Sequence, residues 1–175
     1  NGDGWPEVVL ATGIMATEYV GNLRGAADLV LMNIGEGRYE LYPIQPERNA
    51  FNNGITLMDM DGDGRLDVVE SVDNSQFRGP SRILLNRAET GATELTFEVH
   101  PHSFDPGTNG MGVAIGDLNE DGFLDVYNTS IGLDSLALGK ADGSFEEVTI
   151  PFGITHRWGS NGYRSQWTPT FADLN

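Results

Sequence analysis

Apolar positions along the chain come in short runs alternating with polar ones, and 23 glycines and 8 prolines punctuate them every few residues. No 11-residue window carries a 3.6-residue apolar period, so the pattern predicts β-strands and almost no helix. The strands sort into four kinds. Small and apolar runs at 54–58, 112–115 and 168–172 each precede an acidic loop. Runs at 7–11, 66–70 and 124–128 follow such a loop at once. Third strands are expected at 28–32, 83–86 and 135–138, and fourth strands at 38–42, 95–100 and 144–150. Gly35-Glu36-Gly37 and Ala141-Asp142-Gly143 are turn signals between third and fourth, with a longer 89–94 connection in the middle case. All of this predicts antiparallel hairpins.

The pattern repeats. TLMDMDGDGRLDVVE at 56–70 aligns without a gap on AIGDLNEDGFLDVYN at 114–128, NGDGWPEVVL opens the chain inside the same motif, and FADLN closes it. Asn1, Asp61, Asn119 and Asn175 are therefore equivalent, at spacings of 60, 58 and 56 residues. A four-stranded unit of that length is what a β-propeller blade needs, because each blade buries its faces only against its neighbours. The expected organisation is a partial propeller of three repeats, approximately 1–60, 61–118 and 119–175, cut within the acidic loops at both ends. Three such blades cannot close a ring, so the expectation is a portion of something larger. The stretches 13–27, 72–81 and 151–166 vary between repeats and belong on loops.

Charge gives the repeat a chemistry. Acidic residues outnumber basic ones by 26 to 10, for a net charge of −16, which argues against nucleic acid or an anionic membrane and favours a cation. The absence of cysteine excludes disulfides and Cys-ligated metals but leaves the redox compartment open. No apolar run reaches the roughly 18 residues of a membrane span.

The complete loops place oxygen-bearing side chains at positions 1, 3, 5 and 9, with glycine at 6. They are Asp59, Asp61, Asp63 and Asp67 around Gly64, then Asp117, Asn119, Asp121 and Asp125 around Gly122. Such a loop can wrap one hard cation, with the residue at position 7, Arg65 or Phe123, offering a backbone carbonyl. Calcium is expected; magnesium wants fewer carboxylates, zinc wants His or Cys, and manganese stays open by ligand type. Asp, Asn and Gly favour turns in any isolated loop, but repetition in register argues for a metal. Asn1, Asp3 and Glu7 form a half-site at the start, and Asp173 and Asn175 another at the end. Glu70 falls at position 12 of an EF-hand pattern, yet strand-like runs flank the loop, so Glu70 is expected to be a strand residue.

MDMDGDGRLDVV and GDLNEDGFLDVY, with GEGRYELY and KADGSFEEVTIPFGI, resemble FG-GAP (VCBS-type) repeats, most closely those of bacterial ASPIC/UnbV-type proteins and cartilage acidic protein. The resemblance implies an all-β propeller of four-stranded blades, usually seven, as in integrin α-subunits. Calcium then sits in the hairpin loop joining a blade's first two strands, held by the eight side chains and two carbonyls named above. Glu7 and Pro6 depart from the pattern in the first loop.

The expected function is a non-enzymatic, calcium-stabilised scaffold, extracellular or periplasmic, for adhesion, assembly, or protein or glycan interaction. A polysaccharide-binding or polysaccharide-processing propeller and an accessory subunit of a large complex are the alternatives. Trp158, Tyr163 and Trp167, with Tyr19 and Phe77, are the candidate partner surface, as loop aromatics suit recognition. His100, His102 and His156 lack metal-ligand spacing, and Asn128-Thr129-Ser130 is formally a glycosylation sequon.

Overall fold

A computed structural model describes residues 2–12, 27–44, 51–154 and 165–174. Among these residues the chain is all-β, with eleven strands in three antiparallel sheets and one single-turn helix. Sheet 1 orders β1 (Val8–Leu10), β2 (Asp28–Asn33) and β3 (Tyr39–Ile44). Sheet 2 orders β4 (Asn52–Met58), β5 (Asp67–Val72), β6 (Arg82–Asn86) and β7 (Phe97–Val99), with α1 (Ser75–Arg78) between β5 and β6. Sheet 3 repeats the meander with β8 (Gly110–Gly116), β9 (Asp125–Ser130), β10 (Ser135–Gly139) and β11 (Phe145–Glu147). Each complete acidic loop joins the first two strands of a sheet, between β4 and β5 or between β8 and β9.

Two expected strands differ. The run 144–150 pairs only over Phe145–Glu147, because the chain then coils, with Phe152 N–H donating to the Val148 carbonyl at 3.0 Å and Gly153 at φ 70°. Residues 168–172 form no strand: Thr168 sits at φ 48° and Pro169 has no N–H to donate. That segment still runs beside β8, where the Phe171 ring lies against Gly116 and meets Tyr127 edge-on, the ring centroids 6.4 Å apart. The single-turn helix α1 occupies part of the variable stretch expected to be loop.

The core lies between sheets, and strand alternation decides which face each residue serves. Val68 and Leu84 pack with Val30 and Ile44 of sheet 1. Their neighbours Val69, Ile83 and Leu85 pack with Val113, Ile115, Val126 and Ala137 of sheet 3 and with Phe104. Strand β5 is consequently buried along its whole length. Glu70, expected on a strand, lies there, only 1% exposed, and receives the Arg82 guanidinium at 2.9 and 3.0 Å.

Polar bonds tie the sheets together near the inner strands. Asp28 accepts the Thr12 N–H at 2.8 Å and the Asn52 amide across the gap to sheet 2. Burial pushes the Asp28 carboxyl above its usual value, although those two hydrogen bonds pull the other way. Ser71 donates to Asn128 Oδ1 at 2.6 Å, and Asn128 donates to Thr108 at 2.8 Å. The sequon asparagine is thus fully buried inside a hydrogen-bonded network. Asn53 and Thr56 of β4 donate to the carbonyls of Gly110 and Val113 on β8, at 3.0 and 2.6 Å.

Candidate metal centre

The two complete loops follow one hydrogen-bond plan. Position 1 caps the turn: Asp59 Oδ1 accepts the N–H groups of Gly62 and Asp63 at 2.8 and 3.1 Å, and its Oδ2 accepts that of Gly64 at 2.9 Å. Asp117 does the same for Asp121 and Gly122 at 3.0 and 2.9 Å. Position 5 accepts the N–H of position 7, Asp63 from Arg65 and Asp121 from Phe123, both at 2.9 Å. Asp3 accepts the Trp5 N–H at 2.8 Å in the opening half-loop, so its described part takes the same path. Gly64 and Gly122, at φ 86° and 90°, supply the left-handed conformation this path requires.

Position 9 anchors the loop to the rest of the sheet. Asp67, fully buried, accepts the Met60 N–H at 2.8 Å on one oxygen and the Asn86 N–H of β6 at 2.7 Å on the other. Asp125 accepts from Leu118 at 2.7 Å and from Gly139 of β10 at 3.0 Å. Each loop is therefore stitched to its sheet's third strand through a carboxylate. Burial raises the Asp67 carboxyl above its usual range, opposed by these N–H groups and reinforced by the charges of Asp61 and Asp63.

These bonds also bring three carboxylates of the first loop together. Carboxylate oxygens of Asp59, Asp61 and Asp67 lie within 4.8 Å of one another. All are hard donors at a spacing one divalent ion can bridge, so the chemistry of the set fits calcium. In the second loop position 3 is Asn119, which accepts the Asp121 N–H at 3.3 Å and donates its amide to Asp121 Oδ2 at 2.8 Å. Turning that amide would present its oxygen to an ion.

Two cations of the chain already touch the first loop, which the sequence reading did not foresee. Arg87 Nη1 lies 2.6 Å from Asp61 Oδ2 and 3.0 Å from Asp63 Oδ2, while the Arg65 guanidinium pairs with Asp63. Burial acts to raise the Asp63 carboxyl, but the Arg65 N–H and the two guanidinium groups hold it below the ordinary aspartate value. Hydrogen bonds to Asp61 and Glu98 in turn push Arg87 up.

The other predicted positions are dispersed. Glu7 is half-buried between sheets 1 and 2, where it lines a cleft of about 440 Å³ with Val9, Val30, Leu57 and Phe97; Asp173 is exposed. Trp167 and Phe77 are exposed, Phe77 at the tip of α1. Asn1, Asn175, Tyr19, Trp158, Tyr163 and His156 lie outside the described residues. His100 and His102 form one tight turn, the His102 N–H donating to His100 Nδ1 at 3.2 Å, and the His100 ring abuts Phe145. No helix among the described residues is long and apolar enough to cross a membrane.

A second recurrent position was also missed. Asp28, Ser81 and Asp134 each stand just before or at the start of the third strand and accept a backbone N–H from the end of the second, those of Thr12, Val72 and Ser130, at 2.8–3.0 Å. The identities Asp, Ser, Asp hide the equivalence from a reading by residue type.

Comparison with curated proteins and with solved structures gives no match. The family model of the FG-GAP-like repeat matches residues 1–70, a span that runs from the opening half-loop through the complete Asp59–Asp67 loop into β5. Over residues 1–70 the chain is thus similar to the FG-GAP-like repeat, and the loop of that span recurs between β8 and β9.

Proposed function

We propose that the chain is a calcium-stabilised β-propeller scaffold of the extracellular or periplasmic kind, its three sheets being successive blades and its variable loops meeting a protein or glycan partner. The observation that carries this reading is the hydrogen-bond plan shared by the two loops, which in the first gathers carboxylate oxygens of Asp59, Asp61 and Asp67 at an inter-strand hairpin. Calcium would be held by Asp59, Asp61, Asp63, Asp67 and the Arg65 carbonyl, and by Asp117, Asn119, Asp121, Asp125 and the Phe123 carbonyl. Bound there, the ion supplies positive charge to carboxylates that otherwise repel, and it stiffens the hairpin. The three carboxylates of the cluster are each engaged as a turn cap, a strand anchor or an ion-pair partner, which favours a structural role over catalysis.

The blade reading has separate support. Val8 stands in sheet 1 where Val68 stands in sheet 2, seven residues beyond the equivalent asparagine or aspartate. Val68 is covered by sheet 1, whereas Val8, Leu10 and Leu41 form an exposed apolar row on the far face of sheet 1. A further sheet of the same kind would cover that row as sheet 1 covers Val68.

The test is thermal unfolding of EDTA-treated protein titrated with calcium. At a hundredfold excess over Kd each occupied site adds roughly 2.7 kcal/mol, so Tm should climb by about 5–10 °C per site. The rise should vanish in the Asp63→Ala, Asp121→Ala double variant. An unchanged Tm in the wild-type chain would dismiss structural calcium and with it the argument for an extracellular setting.

A further inference from the structure

We propose that Arg87 is the resident counter-ion of the Asp59–Asp67 loop, so that calcium enters this loop only by displacing a guanidinium and binds it more weakly than it binds the Asp117–Asp125 loop. This rests on the calcium reading above and reverses the order that counting carboxylates would give.

Backbone N–H groups occupy Oδ1 of both Asp61 and Asp63, leaving the two Oδ2 atoms for a cation. Arg87 Nη1 sits on both, at 2.6 and 3.0 Å. Its delivery is built into the sheet. Arg87 directly follows Asn86, whose N–H is clamped by Asp67 of the same loop, and its Nε donates to Glu98 on β7 at 3.0 Å. A planar guanidinium held on one side by Glu98 is pre-aimed at the loop on the other, and little further rotamer freedom is lost in making the contact. Arg65 adds a second guanidinium at Asp63.

Sheet 3 has the same scaffold without the occupant. Gly139 is clamped by Asp125 as Asn86 is by Asp67, and Glu146 faces Leu138 as Glu98 faces Leu85. The residue equivalent to Arg87 is Lys140, whose Nζ pairs with Glu146 at 2.8 Å. Phe123 replaces Arg65. Among the described residues no Lys or Arg pairs with Asp117 or Asp121. Four carboxylates facing two guanidinium groups leave the first loop two negative charges; three carboxylates facing none leave the second loop three. Calcium affinity follows ligand charge, and a bound guanidinium must also be removed, so both effects favour the second loop.

Calorimetric calcium titration of the whole chain, one loop silenced at a time, tests this. With the second loop silenced by Asp121→Ala, Arg87→Gln should tighten calcium binding at the first loop by about tenfold or more. With the first silenced by Asp63→Ala, the same substitution should leave the second loop's affinity unchanged. Arg87→Lys, which keeps the charge but loses the fork, should give a smaller gain and carries the test should Arg87→Gln not fold. Unchanged or weaker binding at the first loop in these variants, with calcium still bound by the second, overturns the proposal and leaves the calcium reading standing. Absence of calcium binding at both loops of the wild-type chain overturns both.

Discussion

Asp125 serves the protein before any ion arrives. Its side chain is fully buried and each oxygen accepts one backbone N–H, from Leu118 in the loop and Gly139 in β10. In Asp125→Asn an amide NH2 must face one of those donors, so a charge-assisted bond is replaced by a clash of two N–H groups. The expected cost is about 1.5–3 kcal/mol in urea unfolding with EDTA present, which separates the anchoring role from metal ligation. Asp105 offers a second measurement. Burial alone would raise its carboxyl, but the N–H of Ser81 and that of Gly107, with the side-chain hydrogen bonds it makes, hold it below the usual 3.8. A carboxyl with a depressed folded value stabilises the fold above the unfolded value and stops doing so as pH falls through the folded one. Asp105→Asn should therefore destabilise clearly at pH 7, with the gap to wild type closing below about pH 4; a gap independent of pH would contradict this. Residue spacing made the recurring positions of the acidic loops legible in the sequence, and both complete loops do follow one hydrogen-bond plan. It could not expose Arg87, which reaches Asp61 and Asp63 from 26 and 24 residues away, because such contacts depend on where β6 ends.

The elements were legible in kind and less so in extent. Alternation and the turn residues located all eleven strands that form among the described residues, since side chains along a strand alternate with a period of two. They failed at 168–172, where composition matched the inner strands of the other repeats but Pro169 and the left-handed Thr168 prevent a ladder. They also passed over α1, a single turn whose Asn74 N-cap is itself left-handed and makes no side-chain cap bond, so little local signal marks it. The inner strands carry the third stability prediction. A Cβ on Gly54 would lie 2.7 Å from the Cα of Gly112, and backbone cannot step aside as a side chain can. Gly54→Ala should force β4 and β8 apart and cost about 1–3 kcal/mol, read from the urea midpoint; a neutral result would mean that the two strands are not in register as described.

At the scale of the molecule, the repeat length pointed to stacked sheets in the sequence, whereas the burial of β5 on both faces emerged only in the structure. Sheet 2 draws its hydrophobic stabilisation from both neighbours at once, as Val68 and Leu84 serve one interface and Val69, Ile83 and Leu85 the other. The glycines at the inner strands have a geometric consequence. Backbone approaches closely between β4 and β8 and between β5 and β8, while no such approach joins the outer strands β7 and β11. Sheets 2 and 3 thus meet closely at their inner edges and splay towards their outer ones, at an angle limited by how near two Cα atoms can come at Gly54 and Gly112. A pair of residues without side chains thereby limits the splay between the two sheets, and a methyl group at either would prise their inner edges open.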